Sequence, residues 1–165
     1  MAQTVLANSR SGAAASVYLS VNAGGAWTNV SGNGATVTVS GGDHVVGSQH
    51  TFDGRAPVVT PSNKTQSVTV TVSGLWENTA SAWFDLVWDV IEAGTFTCAV
   101  RWAPLGGTDT VVGNPSFQTT SDAGVVQGYV VGFQPPDMDA SSGDPLMWTL
   151  SVECAKVTRT LTTTA

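Results

Sequence analysis

Residues 67–102, SVTVTVSGLWENTASAWFDLVWDVIEAGTFTCAVRW, spell out three elements in succession. Val68, Val70 and Val72 alternate with Thr69, Thr71 and Ser73, the two-residue period of a strand with one apolar and one polar face. From about Thr79 to Ala93 the period lengthens. Trp83, Leu86, Val87, Val90 and Ile91 fall three and four residues apart and predict an amphipathic helix, with Phe84 and Trp88 widening its apolar stripe. Asn78 or Thr79 can cap its start, and Gly94 is placed to end it. Asp85, Asp89 and Glu92 form a narrow acidic ridge that reads as solvated or paired, not catalytic. Phe96, Cys98, Val100 and Trp102 then alternate as the apolar side of a second strand, closed by the turn Ala103-Pro104-Leu105-Gly106-Gly107.

Outward from this block the chain is dominated by strands. Val17, Leu19 and Val21 predict a strand at about 16–22, and Val37 and Val39 another after Gly32-Asn33-Gly34. A short strand is expected at Phe117–Thr120, a longer one over Val125–Phe133, and a final one in PLMWTLSVECAKV, followed by a polar, frayed tail at 158–165. Residues 1–14 are small and polar and read as an N-terminal arm. Between Gly41 and Gln66 no period is sustained, so this stretch is a long loop or extended hairpin, a length that usually serves a function or a partner. About eight strands and one helix over 15–157 fit a single mostly β domain, an antiparallel β-sandwich or partial barrel with a flanking α-helix.

Composition narrows the function classes. Only 11% of the 165 residues are charged, and twelve acids against six bases give a net charge of −6. A chain with no Lys/Arg cluster is poorly suited to hold nucleic acid or anionic membrane by charge. No stretch approaches the length of apolar sequence that crosses a bilayer, and the N-terminus lacks the basic and apolar regions of a signal peptide. Neither phosphate-binding glycine signature is present, nor a GxSxG elbow or a CxxC pair. His44 and His50 lie in the 41–66 segment near Asp43 and Asp53, where local hydrogen bonding is a better account than a metal site. Asp137-Met138-Asp139 opens like a calcium loop but has Ser142 at its sixth position and Trp148 at its twelfth, so no metal is expected there. Cys98 and Cys154 each sit on the apolar side of a strand and read as reduced, packed thiols. Among six tryptophans only Trp27 and Trp76 flank turns where an indole can stack on a sugar. No cofactor, catalytic residue or metal ligand emerges, and the chain is expected not to be an enzyme.

The order of these motifs is more specific than any one of them. The strand–helix–strand block through Arg101-Trp102-Ala103-Pro104 is preceded by His50, Thr51-Phe52 and Gly54. It is followed by Phe117-Gln118-Thr119-Thr120, Gly124-Val125 and Ser142-Gly143-Asp144-Pro145-Leu146. From about residue 15 to 157 this order resembles the major tail tube proteins of long, non-contractile-tailed (siphovirus-type) bacteriophages. The resemblance implies a β-sandwich subunit whose hexameric rings stack into a hollow tube, located in the virion tail and assembled in the host cytoplasm. Inner sheets of six copies would join into one barrel, with tape-measure and tail-terminator proteins as partners. DNA would pass through without specific binding. Six copies at −6 each would carry a formal charge of about −36, suiting a bore that repels DNA. The candidate lumen acids are the loop residues Asp109, Asp122, Asp137, Asp139 and Asp144. The candidate contacts between rings lie in 41–66: His44, His50, Phe52, Arg55 and Lys64. The alternative reading is a non-catalytic β-sandwich binding module, for virion decoration or carbohydrate. Deletion of residues 1–12 is expected to leave soluble, folded protein while impairing polymerisation, read by circular dichroism and sedimentation. Loss of folded protein would instead make the arm part of the core.

Overall fold

The computed structural model describes residues 15–32, 34–52, 54–77, 83–106, 115–137 and 143–161. The expected arm at 1–14, the cap at Asn78 or Thr79, most of the calcium-like loop, and Asp109 and Asp139 lie outside the described residues. In chain order the strands are β1 (Ser16–Ser20), β2 (Thr28–Asn29), β3 (Gly34–Gly41), β4 (His44–Gln49), β5 (Val58–Thr65) and β6 (Val68–Leu75). After helix α1 (Trp83–Glu92) come β7 (Ala99–Ala103), β8 (Pro115–Thr120), β9 (Tyr129–Gln134), β10 (Met147–Cys154) and β11 (Lys156–Leu161). The fold is mostly β: the described residues form eleven strands in antiparallel sheets, where about eight were expected, and one helix.

Two sheets make the sandwich. One has five strands in the order β11-β8-β7-β1-β2, the other four in the order β3-β6-β10-β9. The strand with the clearest alternation lies inside the second sheet: β6 pairs β10 without interruption from Leu75 opposite Met147 to Val68 opposite Cys154. Its valines therefore all face one way. Val70, Val72, Leu150 and Val152 are fully buried, and so is Val100 of the facing sheet, beside Val17 and Leu19. Each such side chain contributes about 1.5–3 kcal/mol through removal from water. Buried polar groups are matched: Thr119 Oγ1 accepts the Val100 N–H at 3.1 Å. Among the described residues no buried side-chain nitrogen or oxygen lacks a partner.

The helix closes one part of the sandwich. Trp83, Val87 and Val90 are buried, while Asp85, Asp89 and Glu92 are exposed, as the stripe and ridge predict. Trp83 packs ring against ring on Trp148, and Phe84 meets Phe133 with centroids 4.9 Å apart. Gly94 ends the helix at φ 69° in a Schellman cap, its N–H donating to the Ile91 carbonyl and that of Thr95 to Val90. The chain leaves this cap with Phe96 at φ 53° and 45% exposed. Phe96 is therefore not on the apolar side of β7, as its alternation with Cys98 predicts, because the turn after the helix rotates it outward before the strand begins.

Three other expectations are revised. Residues 125–133 are not one strand: Val126 bridges Thr120 of the first sheet, and β9 begins at Tyr129 in the second, so this segment crosses between sheets. The carboxy-terminal pattern holds two strands, β10 and β11, which break at Ala155 and enter different sheets. The polar stretch expected to fray continues as strand to Leu161, paired with Pro115 of β8. The crossing at 125–130 depends on Gly128. A Cβ there would press on the Cys98 carbonyl oxygen and lie 2.6 Å from Val152 Cγ1. Gly128→Ala is expected to destabilise the fold by about 1–3 kcal/mol through overpacking, read as a lower urea midpoint at constant slope. An unchanged midpoint would mean the crossing has room to spare.

Candidate functional site

Two surfaces stand apart from the core. The first is the β4–β5 hairpin, a two-stranded sheet separate from the sandwich, which resolves the 41–66 segment as an extended hairpin. No residue of β4 is buried, and only Ser62 of β5 is even half-covered. This explains the missing period: with neither face against a core, no alternation is imposed. Its apolar residues are nonetheless open to solvent, Val46, Val58 and Val59 by 55–59% and Phe52 completely. An open cleft of about 580 Å³ runs beside the tip, walled in part by His50, Phe52, Val58 and Thr60.

All five candidate contact residues lie on this hairpin. His44 begins β4 opposite Thr65, and Lys64 is one residue before that partner on β5. His50, Phe52 and Arg55 occupy the connection between the strands, and all five side chains are exposed. Reasoning from sequence chose Phe52 but missed the valine pairs Val45-Val46 and Val58-Val59, which are 41–59% exposed. Their signal is visible in HVVGS and APVVT as two short β-branched runs flanking a turn-rich stretch.

The second surface is the outward face of the four-stranded sheet. The register places its side chains in cross-strand rows. Thr36 lies opposite Ser73, Ser73 opposite Thr149, and Thr149 opposite Gln134. In the next row Thr38 meets Thr71, Thr71 meets Ser151, and Ser151 meets Gly132. In the third Ser40 meets Thr69, Thr69 meets Glu153, and Glu153 meets Tyr129. Hydroxyls bond across the strands, Thr36 to Ser73 at 2.6 Å and Thr71 to Ser151 at 3.2 Å. No Lys or Arg occurs in any of the four strands, and Glu153 is their one carboxylate. The facing sheet differs: its outer side carries Arg101, which donates to Gln118 Oε1 and lies 4.2 Å over the Trp27 ring.

Of the candidate lumen acids, the three described are Asp122, Asp137 and Asp144, and they lie at opposite ends of the four-stranded sheet. Asp122 is in the turn after β8, beside the Glu153 end of β10, and its carbonyl accepts from Lys156 Nζ. Asp137 and Asp144 are exposed beyond the other ends of β9 and β10. Among the described residues no group of three His, Cys, Asp or Glu is placed to hold a metal. Cys98 and Cys154 are free and buried, and burial pushes the Cys98 thiol up to about 12. Thiolate chemistry at neutral pH is thereby disfavoured at Cys98. No described helix is long and apolar enough to cross a membrane. Of the two tryptophans singled out for stacking, Trp27 already carries the Arg101 guanidinium on its ring, while Trp76 is 37% exposed.

Comparison with known proteins bears on the fold. No family model and no curated sequence matches the chain. Among solved structures, a chain of the 6-fold symmetrised anti-feeding prophage baseplate aligns over 100% of both chains with a TM-score of 0.59 at 12% identity. A chain of the sheath–tube complex of the PVC extracellular contractile injection system aligns over 88% of both with a TM-score of 0.55 at 15% identity. A chain of the C6-symmetric gene transfer agent tail aligns over 93% of this chain and 99% of its own, with a TM-score of 0.51 at 11% identity. The fold is thus one found among chains of tail, tube and baseplate assemblies.

The exposed valines supply a direct test of the hairpin. Val46→Lys with Val59→Lys is expected to change the stability of the isolated chain by no more than about 0.5 kcal/mol, as for other surface positions, read by urea unfolding. A large loss of stability would show that the hairpin packs on its own sandwich.

Proposed function

We propose that this chain is a non-catalytic structural subunit of a tail tube, whose hexameric rings stack into a hollow conduit for a genome during ejection. The observation that carries the reading is the alignment of the whole chain with a chain of a 6-fold particle, end to end. The solvent-facing hairpin supports it: exposed β-branched residues and free strand edges are a liability in a monomer and an asset in a polymer. On this reading 41–66, including His44, His50, Phe52, Arg55 and Lys64, reaches an adjacent ring. The open edges at β3 and β9 accept neighbouring copies within a ring.

The domain layout that accompanies this is an arm at 1–14, joining in assembly, and a sandwich that runs from 15 through β11 to Leu161. The neighbours include contractile injection systems, a gene transfer agent tail and a sheath/tube terminator, so they support a tube component in general. The narrower assignment, to a long non-contractile tail with tape-measure and terminator partners, rests on the motif order from residue 15 to 157. So does location in the virion tail after assembly in the host cytoplasm. A sugar-binding module is less well supported, since Trp27 is stacked under Arg101 and leaves Trp76 alone.

Electron microscopy of the purified protein across a concentration series, with and without the tail-assembly proteins, tests the proposal. Hollow tubes with a regular ring repeat are the expected result. Compact monomers alone, even with those partners present, would overturn it.

A further inference from the structure

We propose that Gly41 and Gly42 form a rigid elbow that fixes, within the single chain, the direction in which the β4–β5 hairpin leaves the sandwich. The elbow belongs to the isolated subunit and holds whether or not copies assemble.

Gly41 of β3 lies opposite Val68 of β6, and His44 of β4 lies opposite Thr65 of β5. Between these pairs two residues, Gly42 and Asp43, face two others, Gln66 and Ser67. Nothing is inserted on either side, so β3–β4 and β5–β6 are the two arms of one continuous ribbon. In a regular antiparallel ladder alternate pairs exchange hydrogen bonds and the pairs between them do not. Here two adjacent pairs both bond. Gly42 N–H donates to the Ser67 carbonyl at 3.2 Å, and Gln66 N–H donates to the Asp43 carbonyl at 2.9 Å. One peptide is therefore turned over within the joint, and the ribbon bends there.

The backbone at the bend admits only glycine. Gly41 and Gly42 follow one another at φ 84° and 79°, in the left-handed region that side chains disfavour. A Cβ at Gly41 would press on the Ser67 carbonyl oxygen, which is the acceptor of the Gly42 bond. One at Gly42 would lie 3.1 Å from Cγ2 of Val68, a buried core residue. The joint is stiff although its residues are glycines. To swing, the hairpin would have to break the two hydrogen bonds that straddle it.

Nothing else described holds the hairpin at an angle. No residue of β4 is buried and only Ser62 of β5 is half-covered, so packing on the sandwich does not orient it. The bulge between His44 and Val46 bends the ribbon further, but it lies beyond the elbow. The sandwich thus aims Val46, Val58 and Val59 through the joint. A partner meets these valines already directed, which spares the cost of ordering a loose segment on binding.

Nitroxide labels on Ser48→Cys in the hairpin and Gln134→Cys in β9 report the angle as a distance, read by double electron–electron resonance. Labelled full-length chains are diluted with unlabelled ones, so that only distances within one chain are measured. Cys98 and Cys154 are buried, and a chain carrying neither substitution gives their background. A single narrow distance peak is expected. A broad distribution would show a freely swinging hairpin and overturn the elbow. Gly42→Ala is expected to shift that peak or split it, and Gly41→Ala to do so further where it folds. Gly47→Ala, on β4 without positive φ and with only an ordinary contact for its Cβ, is expected to leave the peak in place. A peak unmoved by Gly42→Ala, or moved equally by Gly47→Ala, would show that the glycine pair does not set the angle. No outcome depends on tubes, so the elbow and the tube reading fail separately.

Discussion

The uninterrupted pairing of β6 with β10 is the constraint on which the other features depend. Eight consecutive pairs, from Leu75 opposite Met147 to Val68 opposite Cys154, commit two strands to a common pleat. Once Val70 and Leu150 face inward, Val72 and Val152 must follow, and Trp148 is brought to the position where Trp83 of the helix can pack. The same pleat sends Thr69, Thr71 and Ser73 to the opposite side with Thr149, Ser151 and Glu153. One register thus builds both the apolar core and an outer face rich in hydroxyls, with Leu75 and Met147 exposed at one end of it. Neither can be altered without the other.

The helix joins the sheets without adding polar demands to the interior. Its buried stripe is aromatic and aliphatic, its acids remain in water, and Trp88 Nε1 donates to Glu92 at 2.7 Å on the solvent side. The Schellman cap then turns the chain sharply enough for β7 to enter the five-stranded sheet. Cys98 and Val100, both fully buried, follow within six residues of Gly94. The core is therefore closed from sheet, helix and sheet by residues contiguous in the chain, which is why the stretch 67–102 is so informative.

Legibility in the sequence follows burial. The strand at 68–75 and the helix at 83–92 were visible because each presents one face to the core, and a core selects side chains with the period of the element. The hairpin has no such face, so its strands left no period, and only its length and lack of pattern marked it as unusual. Phe96 misled because alternation was extended through a residue held at positive φ by the helix terminus. The carboxy-terminal tail misled because β11 lies at a sheet edge, where polar residues such as Thr158 and Arg159 are acceptable in a strand. The outer-face hydroxyls were each readable as outward-pointing residues. Their arrangement in rows was not, since cross-strand register between segments as distant as 36, 73, 149 and 134 is a property of the fold alone.

The β6–β10 register also restricts how this chain can diverge. Inserting or deleting a single residue within either strand would turn every valine beyond it to water and every hydroxyl to the core, so length changes there must come in twos or be compensated across the pair. Substitution is freer, provided it keeps the parity of the position. The hairpin has no parity to protect against a core and can lengthen, shorten or change its tip with little penalty to the sandwich. Lineages descended from such a chain should therefore drift in their hairpins while their central strands keep the same length and change residue for residue.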